Sequence, residues 1–438
     1  MKKSIFNIIC GICVILITGC NPTEPIYTVT TLSPVAVTKA NSMKVYVHYM
    51  PWFETKATNG GTWGVHWKMS KCNPDSVDAT GRRQIASHYY PLVGPYASSD
   101  PNLIEYHLLL MKYAGIDGIL IDWYGSYNIN DTYTLTRNSN AIIDACKKVG
   151  LEFAIIYEDR TIPNVMINTG SKDTVELAVT DMAYIMNSYM TKSNYIKIDG
   201  KPFLGLFGPE CIKNPSQWTS ILSVFSSSPH FTIPYSEVVF NNSYNDKYPQ
   251  VGATNCSSVF LWPWGAWWTK KDTTDRSDHG DDIKRTTRVW NYLNTNNIPV
   301  FAGAWPGFHS YYYQGDGKDS LFNVSYTSYT GNTLWSEMLK LAKERNAKQI
   351  QLITWNDFGE GTMIEPTREF GYSFLTSLQT FVGSNTTQAQ LENIYKLYTY
   401  RKQYKIDAIK QAKMNQAFYY MVSMQDQKAA DLLTDIAN

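Results

Sequence analysis

From Lys44 onward, short runs of apolar, β-branched and aromatic residues alternate with longer stretches whose apolar positions recur at helical spacing. That alternation predicts βα units around a parallel sheet. Eight runs read as strands: 44–53, 115–125, 151–159, 201–208, 231–240, 258–265, 299–308 and 349–361, the fifth interrupted by Pro234. Between them, 101–115 places Leu103, Tyr106, Leu110 and Tyr113 on one face, with Pro101 suited to a first turn and Gly115 to a stop. The segments 138–149, 174–190, 283–295 and 331–346 behave in the same way. Eight strands with intervening helices predict an α/β fold, a (β/α)8 TIM barrel over 43–385. Beyond it, 386–438 spaces Leu391, Ile394, Tyr395 and Tyr398 helically, a stripe that reads as a C-terminal helical extension packed on the barrel.

The first twenty residues break this pattern. Lys2 and Lys3 precede the apolar run "SIFNIICGICVILITGC", which has the flanks and length of an export leader, and "LITGC" resembles a bacterial lipobox with Cys20 as the lipidated residue. Residues 21–42, rich in Thr, Pro and Ser, read as a flexible tether. The expectation is therefore an exported chain, lipid-anchored through Cys20 to a bacterial membrane, the outer membrane for preference, with 1–20 as a lipoprotein signal peptide. Losing Lys2 and Lys3 takes the formal charge from +1 to −1, which removes the electrostatic case for nucleic acid. Cys72, Cys146, Cys211 and Cys256 have no C-x-x-C spacing and read as thiols, not as a disulfide framework.

The aromatic share, 14% with 13 Trp and 31 Tyr, exceeds what a core needs. Active sites of this fold lie past the C-terminal strand ends, and the aromatics gather there. Strand one ends in His48, Tyr49, Trp52 and Phe53, followed by Trp63, His66 and Trp67; strand two in Asp122, Trp123 and Tyr124; strand three in Tyr157, Glu158, Asp159 and Arg160. Glu210 follows strand four; Trp262, Trp264, Trp267 and Trp268 follow strand six; Trp305 and His309 follow strand seven. Strand eight delivers Trp355, Asn356, Asp357 and Glu360 in "TWNDFGEGT". Ring faces that stack, interleaved with carboxylates that take hydroxyl groups, suit sugar recognition. The substrate-binding candidates are Tyr49, Trp52, His66, Trp67, Asp122, Trp123, Tyr124, Glu158, Glu210, Trp264, Trp305 and Asn356. Glycosidic cleavage asks for one protonated and one ionised carboxyl, and Glu360 with Asp357 at i, i+3 can supply both. D-x-x-E pairs are common, so spacing alone also fits a solvated turn. Glu365, in the same loop, reads as structural.

Two resemblances sharpen this reading. "WNDFGE" is similar to the signature of glycoside hydrolase family 71, the fungal endo-α-1,3-glucanases, in which the Asp and Glu are the catalytic pair. "GEGTMIEPT", "YVHYMPWF", "WGVHW", "AGIDGILIDWYG" and the "PGF" after strand seven resemble family 99, the endo-α-mannosidases and mannanases. The chain thus looks like a bacterial member of a family 71/99-like group. The resemblance implies that Glu360 is the general acid/base, that Asp357 takes the place of a second family 99 glutamate, that Trp123 belongs to the pocket, and that Tyr49 and Trp52 belong to its aromatic rim. Asp357 is one methylene shorter than that glutamate, which leaves retention and inversion both open.

No zinc spacing, dinucleotide fingerprint, P-loop or G-x-S-x-G is present; no metal and no cofactor is expected, and the acidic loop at 272–282 reads as solvated. The expectation is a monomeric, endo-acting glycoside hydrolase of α-linked glycans, α-mannan or α-glucan, with an oligo- or polysaccharide as its partner. The alternatives are a non-catalytic glycan-binding lipoprotein of the same fold and a glycosidase acting on another polysaccharide.

Overall fold

The computed structural model describes residues 27–129, 132–235, 255–264, 282–316 and 333–437. Eight parallel strands close on themselves: β1 (Lys44–Tyr49), β2 (Gly118–Trp123), β3 (Glu152–Tyr157), β4 (Lys201–Leu206), β5 (His230–Pro234), β6 (Ser258–Phe260), β7 (Val300–Ala304) and β8 (Gln349–Leu352), with β8 pairing back onto β1. The chain is a (β/α)8 barrel. Its strands are nearly uniformly apolar because helices cover their outer faces and packed side chains fill the interior. The interior holds aromatics in contact, Phe301 lying 5.6 Å from Phe203 and 6.2 Å from Tyr46 between ring centres. They form a solid floor under the C-terminal mouth.

The strands are shorter than the runs that announced them. β5 stops at Pro234 and β6 spans three residues. Beyond its last paired residue, the described part of each run leaves the sheet at the mouth. Residues 236–240, Gly265 and the segment holding Trp267 and Trp268 lie outside the described residues, as do 272–281 of the acidic loop. Among the described residues the longer helices of the barrel are α1 (Pro101–Tyr113), α2 (Thr132–Val149), α3 (Ile162–Thr169), α4 (Thr174–Ser188), α5 (Pro215–Leu222), α6 (Asp282–Thr295), α7 (Thr333–Glu344) and α8 (Ser373–Val382), with single helical turns at Val65–Lys68 and Tyr312–Asp316. Local signals set their ends. The Asp100 carboxylate accepts from Asn102 N ahead of Pro101, and Asp173 accepts from Val175 N and Glu176 N. The final segment folds as α9 (Gln388–Gln403), α10 (Ala408–Val422) and α11 (Asp426–Ala437). Leu391 and Ile394 are fully buried, and Tyr395 and Tyr398 pack on Tyr106 of α1. The Arg401 guanidinium grips Glu105 with two hydrogen bonds of 2.7 and 2.9 Å.

The described part of the expected tether, 27–42, is not free. It runs down α10 and across the N-terminal ends of the strands. Thr30 N donates to Gln416 Oε1, Val35 N to Val422 O, and Ala40 N to Val382 O. Lys39 Nζ sits 2.5 Å from Asp117 and also donates to Gly115 O. Composition alone suggested looseness, but partners hundreds of residues away satisfy this backbone. Cys20 and residues 21–26 lie outside the described residues. Replacing Lys39 by Met keeps the apolar stem and removes the half-buried ammonium. The expected cost is about 1–3 kcal/mol of unfolding free energy, read as a lower denaturant midpoint at unchanged slope. A midpoint equal to wild type would show that this part of the strap contributes nothing.

Candidate active site

Period-two alternation decides which strand residues see the mouth. In β1, Tyr46 and His48 point inward and Tyr49 outward; in β2, Asp122 points inward and Trp123 outward. Glu158, one residue past β3, continues its inward row, as Phe207 does for β4 and Trp262 for β6. His48 lies at the centre of this layer. Its Nε2 is 4.0 Å from Asp122 Oδ1, its Nδ1 is 2.9 Å from Gln351 Nε2, and Trp262 meets its ring edge-on at 5.0 Å. Burial pushes His48 down to about 3, so the imidazole is neutral near pH 7.

Above this floor the loop after β8 closes on itself. The Thr354 N–H donates to Thr362 O at 2.9 Å, their hydroxyls lie 3.0 Å apart, and Ile364 N donates to Thr354 O. Inside the closed turn, Asp357 N donates to Thr354 Oγ1 and Asp357 Oδ1 accepts from Glu360 N, both at 2.8 Å. The 309–311 segment braces the turn, His309 N donating to Glu360 O and Tyr311 N to Gly359 O. Gly361 adopts φ +68°, and a Cβ there would stand 2.8 Å from His309 O, so the braced turn requires glycine at this position. Asp357 and Glu360 therefore reach one cavity from a rigid turn, not from a solvated one.

Four carboxyls and one guanidinium meet there. Glu360 is half-buried, with its Oε2 sealed from solvent and unpartnered among the described residues. Burial, and next the charge of Asp357, hold it well above the usual carboxyl range, opposed by the Trp262 indole and Arg160. Burial also raises Asp357, but two N–H groups, from Glu360 and Gly359, limit the rise to about 6. The same turn thus keeps one carboxyl protonated near neutrality and lets the other ionise. Across the cavity, burial pushes Asp122 up to about 7 and Glu158 well above its ordinary value, the two carboxyls sharing a hydrogen bond. Arg160 Nη1 lies 3.5 Å from Glu158 Oε2, with the Tyr124 ring 5.9 Å from the guanidinium. The hydroxyl of Tyr312 is pushed well above its ordinary range, by burial first and then by the charges of Asp357 and Glu360.

The structure brings Glu360, Asp357, Asp122, Glu158 and Tyr124 together. His66 stacks on Trp52 at 4.1 Å and feels the charge of Arg160, the same guanidinium that lies over the Tyr124 ring. Glu210 is exposed at the edge, close enough for its charge to act on Glu158. Six expected sugar contacts are corrected. Tyr49 points outward onto His107, its hydroxyl 3.4 Å from Nδ1, and Trp123 points outward onto Tyr184 and Tyr189, because each is one residue out of phase with an inward neighbour. Trp67 is core, its Nε1 donating to Tyr96 O beneath Phe53 and Phe358. Trp264 and Trp305 turn toward α6, donating to Thr286 Oγ1 and Asp282 Oδ2. Asn356 spends its amide on the protein: Oδ1 accepts from Met50 N, and Nδ2 donates to Met50 O and the Tyr96 hydroxyl. The residues left out of the candidate set are His48, Arg160, Phe207, Trp262, Tyr312 and Gln351. Strand alternation would have found His48, Phe207, Trp262 and Gln351; Arg160 and Tyr312 reach the cavity from short helical turns past β3 and β7, where alternation gives no signal and only the place after a strand end pointed to Arg160.

Residues 41–241 match the model of glycosyl hydrolase family 99. A glycoprotein endo-α-1,2-mannosidase-like protein of Danio rerio is 22% identical over 287 residues, 64% of this chain and 60% of that one. The glycoprotein endo-α-1,2-mannosidase of Xenopus laevis is 20% identical over 343 residues, 73% of this chain and 69% of that one. The chain thus spans roughly three-fifths to two-thirds of these relatives' length. Among solved structures, the family 99 endo-α-mannosidase of Bacteroides thetaiotaomicron superposes with a TM-score of 0.56 at 16% identity, covering 80% of this chain and 98% of that one, which shows a shared fold.

Proposed function

We propose that this chain, which belongs to the family 71/99-like group of glycoside hydrolases, cleaves α-linked mannose-containing glycans within the chain, with Glu360 as proton donor and Asp357 as its ionised partner. One observation carries the chemistry: two carboxyls on a single braced turn, with surroundings that push their proton affinities apart. In the proposed step Glu360 donates its proton to the glycosidic oxygen as the C–O bond breaks, and Asp357 takes the proton released by the attacking oxygen. Arg160 and Trp262 steady the charge that Glu360 acquires. The choice of mannose is supported by the activity named for the Danio rerio and Xenopus laevis relatives. The same proposal has the chain exported and lipid-anchored at Cys20, on the strength of its leader sequence.

The test is to incubate the purified protein with α-mannan and, separately, α-1,3-glucan, and to follow oligosaccharide release. Release of internal fragments from α-mannan alone is expected, and the anomer of the new reducing end, read by NMR, gives the stereochemistry. Retardation in a mannan affinity gel without any release would favour the glycan-binding alternative.

A further inference from the structure

Behind the catalytic turn, on the side away from the mouth, lies a polar cluster that the proposed chemistry does not use. Glu365 closes the loop that Asn356 opens, and the side chains of Glu365 and His107, on α1, are both fully buried. The Tyr96 hydroxyl donates to Glu365 Oε2 at 2.6 Å and accepts from Asn356 Nδ2 at 3.2 Å. His107 Nε2 faces Glu365 Oε1 at 3.3 Å, and neither atom has another partner among the described residues. His107 Nδ1 meets the Tyr49 hydroxyl of β1. Asn356 in turn clamps both main-chain groups of Met50, just past β1. One continuous chain of contacts therefore runs from α1 through Glu365 and Tyr96 to Asn356, whose next residue is Asp357.

We propose that Tyr96, Glu365 and His107 are positioning residues: they fix the two ends of the 356–365 loop to β1 and α1, and so fix where Asp357 and Glu360 stand. This role rests on the hydrolase reading of the cavity. Buried polar groups are costly unless satisfied, and a cluster of apolar residues would have packed this space. What directed hydrogen bonds add is a single geometry for the turn, which catalysis needs to within a fraction of an ångström. Trp355 and Glu365 share the same brace through the main chain, Glu365 N donating to Trp355 O and Trp355 N to His48 O.

Tyr96→Phe removes only the hydroxyl that joins Asn356 to Glu365, and leaves the main-chain acceptor for Trp67 intact. The expected result on α-mannan is a fall in kcat of roughly 10–100-fold, with KM and oligosaccharide affinity within about twofold of wild type. Glu365→Gln keeps an acceptor for Tyr96 and is expected to retain most of kcat, whereas Glu365→Ala is not. Full kcat in Tyr96→Phe, or equal losses in Glu365→Gln and Glu365→Ala, would overturn the positioning role while leaving the hydrolase reading standing. Wild-type protein without turnover on any glycan would instead sink the hydrolase reading itself, and this proposal with it.

Discussion

Replacing Glu360 by Gln is expected to lower kcat on an α-mannan substrate by about 10²–10⁴-fold while leaving the folded state and sugar binding near wild type. The amide has the shape of the acid but no proton to donate to the leaving oxygen. The structure also explains why the fold should tolerate it. The turn is held by main-chain groups of Glu360, whose N–H donates to Asp357 and whose carbonyl accepts from His309, and both survive the change. Its Oε2 has no hydrogen-bond partner among the described residues, and the interaction of its carboxyl with the Trp262 indole is one that the amide oxygen of Gln can also accept. Circular dichroism and a thermal melt check the fold, titration with mannan fragments checks binding, and reducing-end release checks turnover. A variant that hydrolyses at near wild-type rate would show that the proton comes from elsewhere in the cavity, with the Asp122 and Glu158 pair as the remaining source.

How much of this was legible in the sequence differs from element to element, and the difference has a physical cause. The barrel was legible because apolar runs, repeated eight times, and the helical stripes between several of them are local patterns. The turn after β8 was legible as a candidate because it follows the eighth strand and resembles a glycosidase signature; its two carboxyls at i, i+3 would by spacing alone also fit a solvated turn. Tyr49 and Trp123 were misassigned by treating every residue at a strand end as facing the mouth. His48 and Asp122 take the inward phase, so their neighbours cannot. The same rule applied forward would have added Phe207, in phase with Phe203 and Gly205. Trp262 stays in the cavity while Trp264, two residues on, has left the strand and turned to Thr286, so alternation no longer constrains it. The fully engaged amide of Asn356 and the docking of residues 27–42 depend on partners far away in sequence. Neither leaves a trace in periodicity or composition.

The pH profile of kcat/KM is expected to be bell-shaped, and Asp357→Asn should remove its acid side. Asp357 must be ionised to accept a proton, and burial opposed by two N–H groups places it at about 6. Wild-type activity should therefore fall as pH drops through 6, by roughly tenfold per unit below it. On the alkaline side activity falls when Glu360 loses its proton, well above the usual carboxyl range. Asp357→Asn keeps an oxygen for the Glu360 N–H but cannot take up a proton, so a loss of about 10²–10⁴-fold is expected, and the residual rate should lack the limb near 6. The second limb should move too. The Asp357 charge is the largest influence after burial that raises Glu360, so removing it lets Glu360 ionise more readily and shifts the alkaline limb to lower pH. The two shifts are separable from the behaviour of the other pair: Asp122, raised to about 7 by burial, also feels Asp357. An acid limb that survives in Asp357→Asn would belong to the Asp122 and Glu158 pair, and would assign the base to that side of the cavity and not to the turn after β8.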